Sequence, residues 1–211
     1  MMNLTATNKM NEYIRIISEV MKGNILGLSE TLYEKDKYTF EHCQRVLDYC
    51  FLIGYELGLS KEKIETLAVA AFFHDIGKIA ISNKILEKPG TLTDEEREII
   101  QTHPQISAGV LRVAGGDREA VKTLACHHER YDGRGYPYGL QGDRIPLLSR
   151  IISVADSYDA MTTNRSYSLA LGKDEALRRL IAGSGTQFDP EIVDVFLDRI
   201  EYPQVYLLEA V

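Results

Sequence analysis

Apolar positions recur at three- and four-residue intervals along most of the chain, the period of a helix with one buried face. Met10, Tyr13, Ile14, Ile17, Val20 and Met21 form the first such stripe, which Gly23 and Gly27 interrupt. Phe40, Cys43, Val46, Leu47, Cys50 and Phe51 form the second. Thr39 is placed to cap that helix, and Gly54 and Gly58 lie towards its end. Ser60 caps a third helix, which runs through Leu67, Ala68, Ala71 and Phe72 to Gly77. Thr93-Asp94-Glu95-Glu96 reads as a capping box. Asp117 opens a helix that reaches the His127-His128 pair. Pro146 suits the first turn of another running to about Met161, and Asp189-Pro190 opens the last. No alternating run of convincing length occurs, so the pattern predicts an all-α fold. Val205 to Leu208 could be a short strand or a packed tail.

One stretch breaks the pattern. Between residues 129 and 146, Gly133, Gly135, Gly139 and Gly142 alternate with Pro137 and Pro146. This predicts a long loop between helices, and loops of that length inside a domain often carry function.

Composition narrows the classes. The chain has 211 residues, 45% apolar and 26% charged, the balance of an ordinary globular domain. With 31 acids against 24 bases its net charge is −7, which argues against a duplex nucleic-acid binder. The longest apolar run, Leu67 to Phe73, is far short of a membrane span, and no apolar leader follows the N-terminus. Cys43, Cys50 and Cys126 form no CxxC pair, so they read as buried, reduced thiols. Together these features predict a cytoplasmic protein without membrane insertion.

The chemistry is concentrated in five histidines: His42, His74, His103, His127 and His128. His74 is followed by Asp75, and His127 by His128. Neighbours on a helix project about 100° apart and cannot chelate one ion as an i, i+4 pair does. They can serve two ions, or one can ligate while a carboxylate bridges. Asp75 is short and suits a bridge. Asp156, on the apolar-faced stretch Val154-Ala155-Asp156-Ser157-Tyr158, is a further carboxylate that needs a partner if buried.

His74-Asp75-Ile76-Gly77-Lys78 resembles the signature of the HD superfamily of metal-dependent phosphohydrolases. His127-His128-Glu129-Arg130-Tyr131-Asp132-Gly133-Arg134-Gly135-Tyr136-Pro137 resembles the longer and more specific HHExxDGxGYP signature of its HD-GYP branch. Further matches follow in family order: Tyr38-Thr39-x-x-His42-x-x-Arg45-Val46, Lys88-Pro89-Gly90, Thr102-His103-Pro104, Gly142-x-x-Ile145-Pro146, Asp159-Ala160-Met161-Thr162 and Gln187-Phe188-Asp189-Pro190. The resemblance covers residues 35 to about 200. It implies an HD-domain helical bundle over 35–211; residues 1–34 have no counterpart in the family and read, from their apolar spacing, as an N-terminal helical segment.

What the resemblance implies is a cyclic di-GMP phosphodiesterase. Its products would be pGpG and then GMP, formed by two-metal activation of a bridging hydroxide. One metal would take His42, His74, Asp75 and Asp156, and the other Asp75, His103, His127 and His128. Iron or manganese is favoured by the resemblance. Tyr38 stands where some members carry a glutamate for a third metal, so two are expected. Lys78 and Arg165 would contact phosphate oxygens, and Tyr136 would line the substrate pocket. The chain departs from the family pattern at Ser168 and Leu169, where basic residues are usual, and at Ala80 and Ser82, where glycine and proline are usual. The alternative readings are a low-activity cyclic di-GMP receptor or protein-interaction module, and an HD-type mononucleotide phosphatase. The apolar face of residues 10–21 suits packing onto its own domain or a homodimer contact, and a signalling-protein partner stays open.

Overall fold

The computed structural model describes residues 37–164 and 170–200. The helix expected over 10–21, the boundary at 34/35, Arg165, Ser168, Leu169 and the tail at Val205–Leu208 lie outside the described residues.

Helix follows helix. In chain order come α1 (Lys37–Glu56), α2 (Lys61–Phe73), a 3₁₀ turn (Ile76–Ala80), α3 (Asn83–Leu86), α4 (Asp94–Ile100), α5 (His103–Val113) and α6 (Arg118–Ala125). A second 3₁₀ turn (Gly142–Arg144) interrupts the long loop, followed by α7 (Leu147–Thr162), α8 (Lys173–Gly183) and α9 (Pro190–Arg199). Among the described residues the only strand-like pairing is an isolated bridge between Ser184 and Phe188. The all-α expectation therefore holds.

α2 is the axis of the bundle. Every residue from Thr66 to Phe73 is buried, so this helix is enclosed rather than amphipathic. α1 packs along one side of it and α6 along another, while α7 packs on α1. Leu47, Leu67, Phe72, Leu124, Ile151 and Phe196 meet in one continuous core. All three cysteines are buried and free within it, as the sequence suggests.

Local signals with a local cause reappear. Ser60 Oγ accepts the Lys63 N–H, and Asp117 accepts from both Glu119 and Ala120. Thr93 and Glu96 complete a reciprocal capping box. Asp189 caps α9 ahead of Pro190. Pro146 is the residue before α7 rather than its first helical residue.

Three helix boundaries differ from the sequence reading. α1 already includes Lys37, so Thr39 lies inside the helix and is not its cap. α2 stops at Phe73, short of Gly77, because its last carbonyls and the following turn find side-chain partners. His74 Nδ1 donates to the Ala71 carbonyl, while Ser107 Oγ donates to the His74 carbonyl and accepts from Gly77 N–H. α6 stops at Ala125, so Cys126, His127 and His128 form a turn and not the end of a helix. His127 Nδ1 takes the Leu124 carbonyl, the acceptor that the next helical N–H would have used.

Candidate metal centre

The five histidines and two aspartates singled out in the sequence converge on one point. His42 comes from the second turn of α1. His74 and Asp75 follow α2, His103 opens α5, His127 and His128 follow α6, and Asp156 comes from α7. His42, His74, Asp75, His103 and His127 are buried, and Asp156 keeps 17% of its side chain exposed.

The convergence has a repeated local device. His74, His103 and His127 each donate Nδ1–H to the backbone carbonyl three residues earlier: Ala71 at 2.7 Å, Ile100 at 2.7 Å and Leu124 at 2.6 Å. The ring thereby caps the preceding helix, and its Nε2 is left as a lone-pair donor aimed away from it. His42 uses Asp159 instead, with Nδ1 2.7 Å from Oδ2.

The Nε2 atoms gather into two groups. His42 and His74 bring theirs to 3.2 Å, with Asp156 Oδ1 3.2 Å from His42. His103 and His128 bring theirs to 3.2 Å, and the His127 ring lies 4.1 Å from His128, centroid to centroid. One set of ligand atoms comes from His42, His74 and Asp75 and the other from His103, His127 and His128, each within 4.8 Å of one another. Asp75 serves both: Oδ2 is 3.6 Å from His74 Nε2 and Oδ1 is 3.3 Å from His103 Nε2.

The donor set fits divalent cations. The His127 Nε2 atom is buried with no hydrogen-bond partner, which would be a costly arrangement for a purely structural histidine. Imidazole and carboxylate without thiolate suit zinc, iron, manganese or nickel. The turn at 126–128 also removes the objection from helical spacing, because His127 and His128 join the same group after all.

Electrostatics divide the histidines. Burial lowers His74, His103 and, most strongly, His127; His128 is brought down by burial to about 3. Burial pulls His42 the same way, but hydrogen bonds to Asp156 and Asp159, with the charges of Asp156 and Asp75, raise it to about 9. Asp75 is held well below the usual carboxylate range despite its burial, by Lys78 and the surrounding imidazoles. Asp156 is held low against burial by His42.

A cavity of about 230 Å³ adjoins the cluster, with Lys78, His128, Arg130, Ser153, Asp156 and Gln187 in its wall. Lys78 Nζ lies 2.6 Å from Asp75 Oδ2. Tyr136 does not line this cavity; its ring stacks on His128 at 5.0 Å and 27°. Glu129, 3% exposed, accepts the Tyr138 and Leu140 N–H groups at 2.7 and 3.0 Å and closes the long loop on itself. Gly135 is required there, since a Cβ would lie 2.2 Å from the Arg130 nitrogen.

Some of these roles were not read from the sequence. Asp159 and Arg45 both lie in family-like motifs whose resemblance gives neither a role. Asp159 follows Asp156 by three residues on one helix, a spacing that places both on the same face. Gln187 lies in the Gln187-Phe188-Asp189-Pro190 match without a role of its own there, and Ser153 carries no distinguishing signal.

The sequence matches the family model described as "HD domain" over residues 28–192. It is 38% identical over 185 residues to a cyclic di-GMP phosphodiesterase response regulator of Xanthomonas campestris, covering 86% of this chain and 48% of that protein. It is 39% identical over 157 residues to a 3′3′-cGAMP-specific phosphodiesterase of Vibrio cholerae, covering 74% of this chain and 34% of that one. The chain thus spans half or less of the length of these relatives. Among solved structures, an HD-GYP-type protein of Bdellovibrio bacteriovorus shares the fold with a TM-score of 0.66 at 19% identity, over 92% of this chain and 63% of that one. The chain belongs to the HD domain family.

Proposed function

We propose that this chain hydrolyses cyclic di-GMP to pGpG, and on to GMP, at a pair of divalent cations. The observation that carries the reading is the division of Asp75: its two oxygens face two separate sets of imidazoles. His42, His74, Asp75 and Asp156 would hold one cation, and Asp75, His103, His127 and His128 the other. Iron or manganese suits a site of this mixed donor set. When bound, such a pair lowers the pKa of a water and offsets charge on a phosphoryl group.

The chain's own residues supply the rest. Asp75 holds the two halves in register. Lys78 presents its ammonium to the cavity wall, where it can donate to a phosphate oxygen. Tyr136 buttresses His128, and Arg165 would add a second phosphate contact. The names of relatives such as the Xanthomonas regulator support cyclic di-GMP as substrate. Relatives named 3′3′-cGAMP-specific phosphodiesterases, at 34% to 39% identity, favour a second reading in which the mixed dinucleotide is the substrate. Ser168 and Leu169, in place of basic residues, support a binding module with slow turnover. Buried free thiols support a reducing, cytoplasmic setting. No helix among the described residues is long and apolar enough to cross a membrane.

The test is metal analysis of anaerobically purified protein, followed by product analysis with cyclic di-GMP and 3′3′-cGAMP side by side. Wild-type protein should retain two cations and release pGpG, and Asp75→Ala should lose both properties together. Full retention of metal and activity in that variant would reject the site.

A further inference from the structure

Three of the imidazoles are oriented by neutral backbone carbonyls, but His42 is oriented by a carboxylate. Asp159 is fully buried, and its Oδ2 lies 2.7 Å from His42 Nδ1. Arg45 Nε donates to Asp159 Oδ1 at 2.6 Å and Nη2 to Oδ2 at 3.1 Å, and Thr163 Oγ1 donates to Oδ1 at 3.4 Å. The pairing is built from two helices. α1 carries His42 and, one turn on, Arg45; α7 carries Asp156 and, one turn on, Asp159. A buried anion on Nδ1–H makes the opposite nitrogen a stronger donor than a carbonyl does, and fixes the ring's rotation. Burial opposes ionisation of Asp159, but the His42 and Arg45 bonds keep its carboxyl below the usual range.

The two halves of the centre also differ in charge. His42 and His74 face Asp156 Oδ1 and Asp75 Oδ2. His103, by contrast, faces Asp75 Oδ1, and the other two members of its group are imidazoles.

We propose that Asp159, clamped by Arg45, is a positioning residue for His42 and makes the His42–His74–Asp156 half the tighter of two cation sites, with the His103–His127–His128 half the first to empty. This rests on the two-cation reading above. Asparagine in place of Asp159 keeps the shape but turns one oxygen into an NH2, so either Arg45 or His42 would face a donor.

The experiment titrates Mn2+ into metal-free full-length protein at pH 8.5 under anaerobic conditions, with thermal unfolding of each metal-free variant alongside. Wild type should bind two ions with separable affinities, and His127→Ala should erase the weaker step and keep the tighter one. Asp159→Asn should weaken the tighter step about 10–100-fold and leave the weaker within about two-fold. Arg45→Met, which leaves the carboxylate in place without its clamp, should shift the same step in the same direction by less. If Asp159→Asn does not fold, the Arg45→Met titration decides by the same criterion. Equal steps in wild type, or variants that weaken both steps alike or neither, overturn the proposal while sparing the two-cation reading. Fewer than two ions in wild type overturns both.

Discussion

Gly77 N–H donates to Ser107 Oγ at 2.9 Å, and the same oxygen donates to the His74 carbonyl at 2.7 Å, so one buried hydroxyl ties the turn after α2 to α5. The approach is close enough that a Cβ on Gly77 would lie 2.3 Å from the His103 carbonyl oxygen and 2.8 Å from the Ser107 nitrogen. Both neighbours are backbone and cannot rotate away. Gly77→Ala should therefore push α5 outwards, destabilise the fold by about 1–3 kcal/mol and displace His103. Thermal unfolding and cation stoichiometry measure the two effects together. A variant that kept its melting temperature and both cations would show that the contact yields.

Glu129 governs the loop rather than the metals. Its carboxylate accepts two backbone N–H groups across eleven residues of chain, and glutamine would turn an NH2 towards one of them. Glu129→Gln should cost on the order of 2 kcal/mol of loop closure. The expected signature is faster proteolysis within 130–146 and a raised KM for the cyclic dinucleotide. Bound metal should change little.

His42 makes the metal-free protein sensitive to alkali. Its value of about 9 in the fold exceeds the ordinary 6.5, so protonation favours the folded state. That contribution is complete below pH 6.5 and is lost as pH rises through about 9. The melting temperature of metal-free protein should fall between pH 6.5 and 9.5. Cation binding runs the other way, because a ligand must give up its proton. At pH 7, calorimetry in buffers of different ionisation enthalpy should detect about one proton released from His42, beyond what a metal-bound water gives up. His74, His103, His127 and His128 are lowered and contribute none.

What the sequence reveals divides along the range of the forces. Ser60, Asp117, Asp189 and the Thr93–Glu96 pair act on backbone within three residues, and all four were legible. The ends of α2 and α6 were not: that of α2 depends on Ser107, 33 residues from His74, and that of α6 on an imidazole bonding a carbonyl three residues back, a local cap without a sequence signature. The ligand candidates stood out by residue type and motif. Their division into two groups follows from the family resemblance and not from helical periodicity, which hides the turn at 126–128. In the sequence Asp159 is one more carboxylate in a motif, because its contacts with Arg45 and His42 join residues more than a hundred positions apart.

Lys78 offers a prediction with two opposite signs. Its ammonium lies 2.6 Å from Asp75 Oδ2, and Asp75 is held well below the ordinary carboxylate range partly by that charge. A positive group there competes with cations for the same oxygen, yet it also faces the cavity where a phosphodiester would lie. Lys78→Met should therefore bind Mn2+ more tightly than wild type. The same change should lower kcat by about 10²–10³, the usual loss for removing one donor to a developing anion. A lysine that only decorated the surface would leave both numbers unchanged, and one that only helped to retain metal would lower both. Tighter metal with slower turnover is the pattern expected of an ammonium that partners Asp75 at rest and the phosphate during reaction.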